Sequence, residues 1–125
     1  MSTTITNVRV YEPGRDITAQ ASAAVTAKRL VAISGNRTSG GNLSVAPAAA
    51  AGRVFGVAAT DAPIGGLVRV ARGGAVKVTA AGAVAAFAEV QVAADGKAAT
   101  LAAGVAVGYA LTGAADGTDA EIALY

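Results

Sequence analysis

The chain has 125 residues, 54% of them apolar but only 4% aromatic, with no histidine, cysteine or tryptophan and a net charge of +2. Without histidine or cysteine, the Ser-His and Cys-His nucleophile pairs, the usual zinc sites and disulfides are excluded, and nothing is indicated about the redox compartment. The charge excess is too mild to imply nucleic acid, and so few rings offer little on which bases could stack.

This length suits one domain. Its apolar fraction is mostly alanine and valine, which bury little area each, so the core should be thin and contacts with other chains an attractive supplement. An oligomer, or a protein that lives bound to something, is expected.

The first residues, MSTTITNVRVYEPGR, lack a basic start followed by an apolar run and so do not read as a signal peptide. Thr6 to Tyr11 reads as extended, and Glu12-Pro13-Gly14 as a turn that ends it. Residues 1–12 are thus expected to form an extended N-terminal arm and residues 13–125 a single β domain. Leu30 to Ser34 is an apolar strand that runs into the loop Gly35 to Asn42. The glycosylation-like triplets Asn36-Arg37-Thr38 and Asn42-Leu43-Ser44 read as turn residues.

Strands follow at Arg53 to Ala58, Leu67 to Arg72 and Ala75 to Thr79. In the last two, Val68 and Val70 share one face, as do Val76 and Val78, with Arg69 and Lys77 on the other. Gly73-Gly74 between them signals a hairpin. A loop of Arg72, Gly73 and Gly74, with a glycine in the left-handed region, would pair Val70 with Val76 and set Arg69 opposite Lys77.

Glu89 to Ala93 is the next strand, with Glu89 and Gln91 outward. Ala98 to Ala115 carries no charge, but Val105, Val107, Tyr109 and Leu111 recur with period two. That spacing describes a strand from Val105 to Leu111 with those residues on its buried face, not a membrane-spanning helix. Ala120 to Leu124 closes the chain, and Asp95-Gly96 and Asp116-Gly117 mark tight turns. The alanine stretches at 48–51 and 80–86 could each add a short helical turn. Short strands with glycine at the corners indicate an all-β fold, a small β-barrel or β-sandwich.

Two longer-range patterns cross these elements. AAGRVFGVA from Ala50, AAGAVAAFA from Ala80 and AAGVAVGYA from Ala102 echo one another at intervals of 30 and 22 residues, which is no fixed period. They read as one solution used three times, a small-residue turn feeding a strand whose aromatic (Phe55, Phe87, Tyr109) plugs the core. Charge is also uneven, with nine Lys and Arg against three acids in residues 1–77 and one Lys against five acids in residues 78–125. This is either scatter over solvated loops or one basic and one acidic surface suited to packing against copies or a larger partner.

Nothing in the chain assembles a catalytic motif. No GxGxxG or GxxxxGK[ST] occurs, and the acids sit mostly in turns rather than facing each other as a glycosidase pair would. Asp116-Gly117-Thr118-Asp119 is better read as a turn than as a calcium loop. No enzyme, cofactor or metal is expected.

The order AVTAKRLVAISG, RVFGVAATDAPIGGLVRVARGGAVKV, AEVQVAADGKAAT, GVAVGYAL and a closing EIALY resembles the tailed-phage capsid cement, or head decoration, proteins. Phe55-Gly56-Val57-Ala58, Asp61-Ala62, Gly65 and Gly73 to Val78 carry the likeness, which extends loosely from Glu12 to Tyr125. The strand Glu89 to Ala93 lacks the aromatic expected there in that family.

The resemblance implies a structural virion protein that binds the outer surface of an icosahedral head and holds capsomers together. Its partners would be the major capsid protein and itself, as a homotrimer, with no nucleic acid and no membrane. On that reading the arm residues Thr3, Thr4, Ile5, Thr6, Asn7, Val8, Arg9, Val10 and Tyr11, together with Arg69, Arg72 and Lys77, would form the capsid or subunit contacts. The alternative is a carbohydrate- or receptor-binding module of a phage head fibre. A small hydrolase with an acidic pair is the remaining class.

Overall fold

A computed structural model describes residues 16–125. Period-two alternation sets the first strands: in β1 (Ile17–Ala21) residues 17, 19 and 21 are buried, and in β5 (Leu67–Ala71) Val68 and Val70 are buried while Leu67 and Arg69 face out. With β2 (Leu30–Gly35), β3 (Leu43–Pro47) and β4 (Gly56–Ala58) they close a barrel in the order β1-β3-β2-β4-β5. β1 runs parallel to β3 and antiparallel to β5. The interior holds only small side chains, among them Ala19, Ala21, Val31, Val45 and Ala58.

β6 (Ala75–Thr79), β7 (Glu89–Val92), β8 (Ala98–Thr100), β9 (Gly108–Ala110) and β10 (Asp119–Leu124) form a second sheet in the order β6-β10-β9-β7-β8. A parallel bridge between Ala80 and Ala98 draws its two edges together. A 3₁₀ turn at Ala94–Gly96 is the only helical element among the described residues, and the alanine stretches at 48–51 and 80–86, which could each have added a helical turn, form none. We refer to residues 16–73 as the N-lobe and 74–125 as the C-lobe.

The two lobes repeat one fold. β1, β2, β3, β4 and β5 correspond in order to β6, β7, β8, β9 and β10, and four of the five strand pairings of the barrel recur in the second sheet. The parallel β1–β3 pair is matched by the Ala80–Ala98 bridge. Outside the strands the hydrogen bonds repeat as well. Val25 and Ala62 exchange two backbone bonds (2.9 and 3.1 Å), as do Val84 and Ala114 (2.9 and 2.8 Å). The N–H of Lys28 donates to Ala58 and that of Phe87 to Ala110, and both residues have positive φ, 65° and 67°. Of the three echoing fragments, those from Ala50 and Ala102 hold equivalent positions leading into β4 and β9; the one from Ala80 holds a different position, leading into β7.

The β5–β6 hairpin expected across Gly73-Gly74 is absent. Val70 pairs with Ile17 and Ala58, Val76 with Ile122, and Lys77 lies opposite Glu121 instead of Arg69. Both glycines do adopt positive φ, 70° and 68°, but they join the two lobes rather than two paired strands. Alternation identifies a strand with one buried face and leaves its partner open; here β5 lies between β1 and β4, and β6 pairs with β10.

The face of the Tyr109 strand is also inverted. Gly108 and Ala110 point into the core and Tyr109 lies half-buried outside, with Val105 and Leu111 exposed; only Val107 is buried as expected. The interior has no room for an aromatic ring at this position. A Cβ on Gly108 would collide with the Ala123 carbonyl oxygen, and one on the equivalent Gly56 with that of Ala71. Phe87 likewise does not plug the core, being 82% exposed at a left-handed turn. β1, β3 and β8 were not anticipated from the sequence, because each is short and rich in alanine, serine or threonine. Glu89 and Gln91 do alternate outward against buried Val90 and Val92, as expected.

Gly56→Ala and Gly108→Ala should each destabilise the protein by about 1–3 kcal/mol through overpacking. Gly35→Ala meets open space and should stay within about 0.5 kcal/mol of wild type. Chemical denaturation of the three variants checks this.

Candidate functional site

The lobes meet through one asymmetric junction. Leu30, Ala48 and Val57 point outward from the N-lobe barrel and pack into the C-lobe core with Val92. Lys28 Nζ pairs with Asp119 Oδ2 at 2.7 Å, and the Lys28 carbonyl accepts from the Thr79 N–H at 2.9 Å. Arg29 Nη1 donates to the Asp95 carbonyl at 3.2 Å. Gly96 lies so close to Leu30 that a Cβ would sit 2.6 Å from its carbonyl oxygen. Ala51 donates to Val92 and accepts from Val105.

The described carboxylates are largely engaged in holding the fold. Asp61 accepts from the Ala27 N–H at 2.6 Å and Asp116 from the Gly82 N–H at 2.8 Å, which pins two turns. Asp16 pairs with Arg69 at 3.3 Å on the surface, where such a pair contributes little. Asp116 and Asp119, the ends of the calcium-like turn, therefore have structural partners, and among the described residues no cluster of three acids forms.

The charge imbalance of the sequence becomes a difference between lobes. The N-lobe carries six cations (Lys28, Arg29, Arg37, Arg53, Arg69, Arg72) and two acids; the C-lobe carries two cations and five acids.

The expected contact residues fall in separate places. Thr3, Thr4, Ile5, Thr6, Asn7, Val8, Arg9, Val10 and Tyr11 lie outside the described residues. Arg69 is on the outer face of β5, and Lys77 is in the other sheet beside Glu121. Arg72 lies over the Phe55 ring, 4.4 Å from its centroid, and donates from Nε to the Phe55 carbonyl at 2.8 Å. With Ile33 and Arg53 it lines a groove of about 440 Å³ on the N-lobe.

The sequence reading missed an aromatic cap on the C-lobe. Phe87 meets Tyr109 edge-on with centroids 5.6 Å apart, and Tyr109 meets Tyr125 at 6.2 Å. Tyr125 Oη donates to Glu89 Oε2 at 2.7 Å. These four residues surround a surface hollow of about 470 Å³. Rings of this kind offer large contact area with little conformational freedom to lose. The signal available beforehand was the pair of rings in FAE and GYA, which strand alternation assigned to the wrong face.

Against known proteins, a family model described as phage cement protein matches residues 11–125. The chain belongs to the phage cement protein family. It is therefore a structural component of the phage virion, and the family implies a non-enzymatic role. Among solved structures it is similar to the N base of head fiber gp8.5 of bacteriophage phi29, with a TM-score of 0.76 and 24% identity over 89% of this chain and 93% of that one. At that identity the likeness concerns the fold. No curated protein matches the sequence.

The hydrogen bond to Glu89, reinforced by partial desolvation and the negative charge itself, pushes the Tyr125 phenol above its ordinary value of 10.0. Its contribution is complete below the ordinary phenol range and is lost as pH rises through the raised value. In an alkaline absorbance titration one tyrosine should ionise late. Tyr125→Phe should delete that component and Glu89→Ala should return it to the ordinary range; a late component surviving both variants would contradict the assignment.

Proposed function

We propose that this protein decorates the outer surface of an icosahedral phage head, binds the major capsid protein and stabilises the contacts between capsomers. Family membership over residues 11–125 carries this reading. The polarity of the molecule supports it, since a cationic N-lobe suits an acidic shell exterior. Thr3 to Tyr11 serve as the arm onto the capsid or an adjacent subunit, and Arg69, Arg72 and Lys77 as charged contacts. Because Arg69 and Lys77 sit in different sheets, they engage separate patches of the partner.

In this reading the assembled form is a homotrimer, whose three simultaneous footprints multiply a weak single attachment. A carbohydrate- or receptor-binding module of a head fibre is the second reading; the exposed rings of the aromatic cap beside a carboxylate favour it.

Co-sedimentation with mature undecorated shells of the parent virus tests the proposal. Saturable binding is expected. Deletion of residues 2–11 should weaken it with the fold intact, and Arg69→Glu with Lys77→Glu should lower affinity by about tenfold or more, equivalent to about 1.4 kcal/mol. Absence of binding by the full chain would refute the cement role. Unchanged binding after the deletion would remove the arm from it.

A further inference from the structure

The repeat of one fold within the chain makes the lobe junction informative about surfaces that are not in the junction. The N-lobe uses one face there, built on Lys28, Leu30 and Val57, and the C-lobe uses a different face, built on Thr79, Val92, Gly96 and Asp119. The contact is heterologous, since the face that each lobe offers is not the one its partner offers. Each lobe therefore keeps one face of this interface unused.

The fold equivalence identifies those faces residue by residue. On the C-lobe, the positions of Lys28, Leu30 and Val57 are occupied by Phe87, Glu89 and Tyr109, which are three of the four residues of the aromatic cap. On the N-lobe, the positions of Thr79, Val92 and Asp119 are occupied by Gln20, Ile33 and Leu67. Three of these side chains are large, apolar and exposed: Phe87 at 82%, Leu67 at 60% and Ile33 at 48%.

The substitutions at these positions are complementary. Inside the chain, Lys28 meets Asp119 as an ion pair. The equivalent meeting between two chains would bring Phe87 onto Leu67, so an ion pair is replaced by an apolar pair with both partners changed together. Ile33, equivalent to the buried Val92, would be covered at the same time. The wider fields agree as well, since Arg53 and Arg72 line the groove beside Ile33 while Glu89 sits within the cap.

We propose that the aromatic cap of one molecule docks on the Ile33–Leu67 face of a second copy, repeating between chains the head-to-tail packing that joins the two lobes within one. A heterologous contact of this kind closes into a ring when its rotation permits. The inference supplies surfaces for the self-association in the proposed function and is independent of shell binding.

The full-length wild type, Phe87→Asp, Leu67→Asp and a mixture of the two variants are measured by light-scattering mass, with thermal melts to verify folding. The wild type is expected at a multiple of 12.0 kDa and each variant alone at the mass of one chain. In the mixture each variant retains the face its partner has lost, so 1:1 dimers should form and nothing larger. A monomeric wild type, a variant that keeps the wild-type mass, or a mixture that stays monomeric would each overturn the proposal. Because both positions are exposed, each variant should still melt in one cooperative transition, and dimer formation in the mixture itself demonstrates that both variants are folded. Repeating the wild-type measurement with a glycan mixture tests the competing occupant: an unchanged oligomer mass supports the docking, whereas sugar bound at the cap of a monomeric protein overturns it. A shell-binding assay on the monomeric variants separates the two readings, because failure of docking leaves single-chain attachment measurable.

Discussion

The five-stranded barrel of the N-lobe closes around small side chains, and much of this structure follows from that thin core. The interior of the N-lobe accepts alanine and valine, and at Gly56 and Gly108 the neighbouring strand comes so close that no side chain fits at all. Hydrophobic stabilisation grows with buried apolar area, so each lobe taken alone has little to spend against chain entropy. The largest fully buried side chains include Leu30, which lies outside its own barrel and gains its burial from the other lobe.

The second lobe thus does for the first what a separate subunit would do elsewhere. Leu30, Ala48 and Val57 turn an outer barrel surface into part of a continuous core, and the Lys28–Asp119 pair and the close approach of Gly96 to Leu30 fix the orientation. The same thin core explains the aromatic cap. Rings that cannot enter the interior stand on its outside, where Phe87, Tyr109 and Tyr125 pack on one another and present area to a partner. Burying such rings on assembly is one way in which a cement protein can gain both stability and attachment.

Much of this was legible in the residues. Apolar runs, alternation and turn signals located β2, β5, β6, β7 and β10 to within a residue or two, and alternation gave the outward placement of Glu89 and Gln91. The motif around Phe55-Gly56-Val57-Ala58 carried the family. Two inferences failed for physical reasons. Gly73-Gly74 has the backbone freedom of a hairpin turn, but positive φ at a pair of glycines serves an inter-lobe link equally well. Tyr109 was assigned to the core because apolar residues usually define the buried face, whereas here the glycine and alanine beside it do.

The class of fold, the small-residue core, the lack of histidine and cysteine chemistry and the uneven charge are all readable from the residues, since they depend on composition and local spacing. Which strands pair, the repetition of one topology along the chain and the exposure of Phe87 and Leu67 emerge only once the chain is folded. Strand partners are chosen by contacts between residues far apart in the chain, and the repeated topology is carried by a hydrogen-bond pattern of which the echo between the fragments at Ala50 and Ala102 is only a short part.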